Sequence, residues 1–372
     1  MIDSINIVLV GIENLDEIYL KEVLGIDDYM EFTDEEGNKG YSFTYRTVEF
    51  KYYLYGNLVV ETTTHKILNK KDITLSDKKK YKFKLEGILR EVLKSQKYKE
   101  KLLTQIDYCA DIDVGEEKLE EIVKVMNKHS SSYKHKKRRR TYETSIQLYT
   151  KSGKLVKGYD KVACIKDKAK DEINDIIYKY KGDEIKNKKL QELNARVKEE
   201  IALYKGVIRL EISVRKENLK YYYKESTKKM KQAKKDGKTN EEIKKIKIEY
   251  RTIDNYWTEE KMYNQFLAEV KQYYYGGDYY KLSIAINKIK DAENYTNLAK
   301  NKLIIFLSRI KCVGIDRVKK CGIYSKGTIR NYIKQLTELG INPITIDEDS
   351  EYDMLESLYT LAVKQAEEKY FK

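Results

Sequence analysis

Three segments with the alternation of β-strands gather acidic side chains on one face. In Val60-Glu61-Thr62-Thr63-Thr64-His65 that face carries Glu61, Thr63 and His65, because successive side chains of a strand point to opposite sides. In residues 105–111 the set is Asp107, Cys109 and Asp111, with Ile106, Tyr108 and Ala110 opposite. In residues 209–214 it is Arg209, Glu211 and Ser213, while Leu210, Ile212 and Val214 form the packing side. Acids are depleted in strands and are rarely buried without a partner. For each acid taken singly, the plain alternative is the solvent face of a half-buried sheet. Taken together, carboxylate oxygens plus one histidine suit Mg²⁺ or Mn²⁺ rather than zinc. Such an ion could polarise a phosphodiester. Glu61, His65, Asp107 and Glu211 are therefore the candidate metal ligands.

A fourth segment, Gly158-Tyr159-Asp160-Lys161, ends a strand-like run just before a helical one. A phenol there can act as a covalent nucleophile, with Lys161 near enough in sequence to stabilise a phenolate. The alternative is a packing tyrosine, in a chain that has 34 of them. His129 and His135 lie in a basic stretch and read as DNA-facing or inert.

The elements that must position these residues alternate through the first half. Strands are expected at 5–10, 41–55, 57–64, 103–114, 145–149, 154–159 and 206–214, with a hairpin turn around Gly56-Asn57 and another at Lys-Ser-Gly, 151–153. Helices are expected at 81–93 and 115–127, the latter with Leu119, Ile122, Val123 and Met126 at amphipathic spacing, and at 161–203. After Arg215 everything reads as helix or loop, with a break at Gly276-Gly277. Strands and helices interleaved without regular βαβ spacing predict an α+β fold. The expected organisation is an antiparallel-sheet domain over 1–222, a basic helical linker over 223–255 and a helical DNA-binding domain over 256–372.

Within that last region, residues 314–321 predict a short helix, Gly322 a turn, and Ser325 the N-cap of a second helix, a helix-turn-helix-like segment. Ile329, Ile333, Leu336 and Leu339 supply the apolar stripe. Lys326, Arg330, Asn331 and Lys334 then face outward, chemistry suited to a DNA groove. A helical hairpin without DNA contact fits the same pattern.

The chain has 372 residues and a formal charge of +14, with 74 Lys+Arg against 60 Asp+Glu. The charge is unevenly spread. Residues 13–36 hold ten acids and one lysine, 128–140 hold seven Lys/Arg and no acid, ending in Arg138, Arg139 and Arg140, and 224–248 hold ten lysines against four acids. Such runs serve as solvated faces or as phosphate contacts that release counterions, and two of them flanking a strand pair point to nucleic acid. No apolar run approaches the ~20 residues of a membrane span. The opening Met-Ile-Asp-Ser lacks the basic and apolar regions of a secretory signal. The four cysteines form no CxxC pair and read as reduced thiols. A cytoplasmic protein with a polyanionic partner and no membrane contact is expected.

In order and spacing, several motifs resemble the gene II/gene X replication initiators of filamentous phages and related plasmids. They are the Met-Ile-Asp opening, Val60-Glu61, Leu103-Thr104-Gln105-Ile106-Asp107, Tyr159 two before Lys161, and Gly206-Val207-Ile208-Arg209-Leu210-Glu211. Gly314-Ile315-Asp316 and Leu336-Thr337-Glu338-Leu339-Gly340-Ile341 follow. Gln105 stands where the family usually has Arg, and the paired histidines of the wider nickase group are absent. The resemblance implies a rolling-circle initiator, a metal-dependent site-specific DNA endonuclease and strand transferase in a bacterial host. It would nick one strand of double-stranded origin DNA, join its 5′ end to a tyrosine, handle single-stranded DNA, rejoin ends, and work with the host replication helicase and polymerase. By position, Tyr159 would be the nucleophile, Lys161 its supporting cation, and Glu61, Asp107 and Glu211 metal ligands or orienters. The competing reading is a non-catalytic origin- or operator-binding regulator, for which Tyr159 and a metal are dispensable. A structural or RNA-binding basic protein would show no origin specificity, and the three histidines offer no Arg-His-Arg set for a tyrosine recombinase.

Overall fold

The structure, a computed structural model, describes residues 2–70, 73–129, 139–142, 144–149, 154–179, 183–246 and 251–370. Its strands are β1 (Ile2–Val10), β2 (Tyr29–Thr33), β3 (Lys39–Tyr45), β4 (Val48–Tyr53), β5 (Asn57–Thr63), β6 (Glu100–Asp113), β7 (Arg139–Tyr142), β8 (Ser145–Tyr149), β9 (Leu155–Asp160), β10 (Val207–Arg215), β11 (Tyr279–Tyr280) and β12 (Met354–Leu355). The helices are α1 (Thr64–Leu68), α2 (Lys78–Leu93), α3 (Glu116–His129), α4 (Lys161–Lys179), α5 (Asp183–Leu203), α6 (Lys216–Lys235), α7 (Asn240–Ile246), α8 (Phe266–Tyr274), α9 (Leu282–Asp291), α10 (Asn297–Val313), α11 (Ile315–Lys320), α12 (Lys326–Glu338) and α13 (Leu358–Tyr370). The fold is α+β with a helical C-terminal region. Ten strands hydrogen-bond in the order β2-β3-β4-β5-β1-β6-β10-β9-β8-β7.

Two compact units divide the chain, each built from three stretches. Unit 1 comprises Met1–Cys109, Thr150–Leu155 and Ile212–Phe266; unit 2 comprises Ala110–Tyr149, Val156–Glu211 and Leu267–Lys372. These units do not follow chain order. The divisions expected at 222/223 and 255/256 both fall inside one stretch of unit 1, because the chain leaving β10 stays with the unit that holds the first half of β6. A further difference is the pairing of β11 with β12, Tyr279 opposite Leu355. Two residues are too few for a period-2 signal to register.

In unit 1 the antiparallel run β2-β3-β4-β5-β1-β6 alternates as half-buried strands should. Ile5, Ile7 and Leu9 of β1 and Leu58 and Val60 of β5 are buried, whereas Ser4, Asn6 and Glu61 are only half-buried. The region read as one strand, 41–55, turns at Arg46, whose φ of 55° lets β3 and β4 pair. Tyr81 of α2 packs against Trp257 with the rings tilted by 49° and their centroids 5.2 Å apart, and its hydroxyl shares a hydrogen bond with Thr62 Oγ1 at 2.6 Å. β10, divided between the units after Glu211, is buried along nearly its whole length. Ile122, Val123, Val125 and Met126 of α3 are buried, and Leu303, Phe306, Leu307, Val318, Ile329 and Leu336 form the interior of the C-terminal helices. No helix among the described residues is long and apolar enough to cross a membrane.

Candidate active site

The sequence expectation of acids inside the sheet holds for three of the strand carboxylates: Asp107, Asp111 and Glu211 are 4%, 7% and 4% exposed. A buried carboxylate must be hydrogen-bonded or ion-paired, and the three meet that demand differently. In unit 2, Arg209 grips Asp111 with two nitrogens, Nε to Oδ1 at 2.5 Å and Nη2 to Oδ2 at 2.6 Å. The amide of Gln365 on α13 donates to the Asp111 carbonyl. This closed, bidentate pair uses up both ends of the carboxylate, the geometry of a structural lock.

Glu211, two residues along β10 from Arg209, is different. Its Oε2 accepts a hydrogen bond from Tyr159 Oη at 3.1 Å, and its Oε1 is ion-paired with Lys157 Nζ. Lys157 and Tyr159 are two apart on β9 and so share a face. Together they place a cation, a carboxylate and a half-buried phenol at one point of unit 2. The sequence supplied Tyr159 and Glu211 but missed Lys157. Its period-2 spacing from Tyr159 was the available signal.

Lys161 was the expected cation, and its placement has a local cause. Asp160 Oδ1 accepts from the amides of Val162 at 2.8 Å and Ala163 at 3.3 Å, which makes Asp160 the N-cap that switches the chain from strand to helix. Lys161 thereby becomes the first residue of α4, and its ammonium lies over the Tyr204 ring, 5.2 Å from the centroid. On β9, Gly158 leaves room for close neighbours: a Cβ there would fall on Tyr274 Oη and Met126 Cε. Tyr274 belongs to an aromatic box around buried His129, whose Nε2 meets Tyr279 Oη at 3.2 Å. Burial pushes the His129 imidazole down to about 3. That histidine, read as DNA-facing or inert, is a core residue.

The remaining expected metal ligands belong to unit 1. Asp107 accepts from Ser4 Oγ at 2.5 Å and from Gln105 Nε2 at 2.9 Å, and Glu61 pairs with Lys51 at 2.9 Å. His65 is in α1 rather than on the strand face of Glu61, because the strand ends at Thr63. Among the described residues no three of His, Cys, Asp or Glu are grouped to hold a metal ion. Among the described residues the four donors are thus not grouped as a set.

The helix-turn-helix-like segment forms as expected. Ser325 Oγ caps α12 by accepting from Thr328 N at 3.0 Å. Ile329 and Leu336 turn inward, while Lys326, Arg330, Asn331 and Lys334 are exposed on α12. Arg309, Arg317 and Lys320 are exposed nearby in the chain. In the basic run, Arg138 and His135 lie outside the described residues, and Arg139 and Arg140 are described only as backbone of β7. Compared with known proteins, the chain matches no protein-family model and no curated protein.

Proposed function

We propose that the protein is a rolling-circle replication initiator whose nucleophile is Tyr159. The observation that carries the reading is the hydrogen bond from Tyr159 Oη to Glu211 Oε2, on a carboxylate that Lys157 ion-pairs. In the proposed step the Tyr159 oxygen attacks the phosphorus of a phosphodiester and forms a new O–P bond. The bond from phosphorus to the 3′-oxygen breaks. The phenolic proton passes to Glu211, and a proton returns to the leaving 3′-oxygen, giving a free 3′-hydroxyl and a 5′-phosphotyrosine. One phosphodiester is exchanged for another, so the reverse step can rejoin ends.

Each residue has a role that follows from chemistry. Glu211 orients the phenol and accepts its proton. Lys157 holds Glu211 and sets a positive charge beside the developing phenolate. Asp160 already caps the first amides of α4, so a phosphate's countercharge comes from side chains. A divalent cation, Mg²⁺ or Mn²⁺, would add Lewis-acid polarisation of the phosphate. Lys326, Arg330, Asn331 and Lys334, with Arg138, Arg139 and Arg140, would hold origin DNA, and the host helicase and polymerase would use the 3′-hydroxyl.

The test incubates the protein with supercoiled DNA of its own replicon and Mg²⁺ or Mn²⁺, with and without EDTA, and looks for an SDS-stable adduct. Exposed α12 favours a second reading, a non-catalytic origin-binding regulator. That reading gives salt-sensitive binding and no adduct.

A further inference from the structure

One edge of the sheet, in unit 1, is open and acidic. Among the described residues β2 pairs with β3 alone and ends the strand order. Asp34 N donates to Asn38 O at 2.9 Å where the β2–β3 hairpin turns, and bonded and non-bonded pairs alternate along an antiparallel ladder. The backbone groups of Phe32 and Met30 therefore face Gly40 and Ser42 of β3, and those of Glu31 and Thr33 face the outer edge. The bond from Leu54 N to Lys39 O, 3.1 Å, agrees: Lys39 faces β4, which leaves its partner Thr33 facing out. Strand edges are usually guarded by lysine, proline, a bulge or a covering element. β2 contains neither lysine nor proline, runs in unbroken register with β3, and exposes Met30, Glu31 and Thr33.

The side chains narrow what can fit there. Met30 and Phe32 share one face of β2. The Phe32 ring lies across Gly40, where a Cβ would meet it at 2.8 Å, and edge-on to Tyr53 with centroids 5.1 Å apart. Glu31 is on the other face, opposite Tyr41. Residues 27–36 carry six acids and no Lys or Arg, and all six but Asp34 are exposed. The Asn38 amide holds the Asp34 carboxyl below its ordinary value, so it too is charged. A second β2 edge would set acid against acid, which is unfavourable. A strand with apolar side chains beside Met30 and Phe32 and Lys or Arg beside Glu31 suits both faces, and the open edge offers it main-chain hydrogen bonds.

We propose that the outer edge of β2 docks a partner protein through an extended segment of alternating basic and apolar residues, which adds to the sheet as a further strand. This docking is independent of the nicking chemistry. It gives the acidic N-terminal stretch, which would repel DNA, a partner of opposite charge.

The probe is a fluorescein-labelled peptide, Gly-Lys-Val-Lys-Val-Lys-Gly, titrated with the full-length protein and followed by anisotropy. The protein should bind it, and bind Gly-Glu-Val-Glu-Val-Glu-Gly about tenfold more weakly or not at all. Glu31→Lys should weaken binding of the lysine peptide about tenfold, and added salt should weaken it in the wild type. Glu199→Lys, which reverses an exposed acid of α5, is the control and should change affinity by less than about threefold. Hydrogen exchange of the wild-type protein separates strand addition from attraction of charge. In the free protein the outward amides of Glu31 and Thr33 should exchange faster than the inward amides of Met30 and Phe32, and bound peptide should slow them about tenfold. No binding, equal affinity for the two peptides, or equal losses in the Glu31 and Glu199 variants would overturn the docking edge. Binding that leaves the Glu31 and Thr33 amides exchanging as before would overturn strand addition.

Discussion

Asp107 in unit 1 and Glu211 in unit 2 are buried to the same extent, on strands of the same kind, yet their surroundings differ in what they can do. Asp107 accepts from a serine hydroxyl and a glutamine amide, both neutral groups. Glu211 accepts from a phenol and pairs with a lysine, so the three groups that the proposed step needs meet at one carboxylate. Asp111 is a third outcome, a carboxylate closed off by Arg209. A buried acid is thus a poor indicator of chemistry by itself. What touches it decides.

The comparison can be broken most forcefully at the lock. Asp111→Ala removes the carboxylate that pairs with the buried Arg209 guanidinium and should cost about 3–5 kcal/mol, read by denaturant unfolding. Glu211→Gln keeps an acceptor for the phenol but cannot take its proton. It should slow adduct formation about 10²- to 10⁴-fold with a modest loss of stability. His129 sharpens the contrast between core and site. Its folded-state value, about 3, lies below the ordinary 6.5, so the unfolded chain takes up a proton that the native one refuses. The native state should therefore lose stability as pH falls from about 6.5 toward 3, by up to about 1.4 kcal/mol per pH unit, with no contribution above that window. In His129→Gln that part of the acid sensitivity should vanish. The smallest effect is at Asp107. Asp107→Asn still accepts one hydrogen bond and should cost about 1 kcal/mol, with adduct formation unchanged.

Much of this architecture was legible because local patterns carry it. Period-2 alternation exposed β1, β5, β6 and β10, and Ser325 announced α12. The acid faces were legible too, although which acids are buried was not. Whether the outer face of β10 is covered depends on what packs there, and β10 proved buried on both faces. Lys157 escaped notice because its meeting with Glu211 joins residues 54 apart in sequence, and strand pairing at that range leaves no local mark. Lys161 attracted attention by proximity in sequence; the Asp160 cap makes it the first residue of α4, with its ammonium over the Tyr204 ring. The interleaved units were illegible for the same reason: chain order is a poor guide once central strands serve two bodies.

The most direct measurement is the covalent one. Wild-type protein and Tyr159→Phe are incubated with supercoiled replicon DNA and Mg²⁺ or Mn²⁺, digested with protease, and the DNA-linked peptide is identified by mass spectrometry. A nicked product carrying a phosphotyrosyl peptide that spans Tyr159, absent from Tyr159→Phe, is the predicted result. An adduct of equal yield in Tyr159→Phe, attached through another residue, would contradict the account.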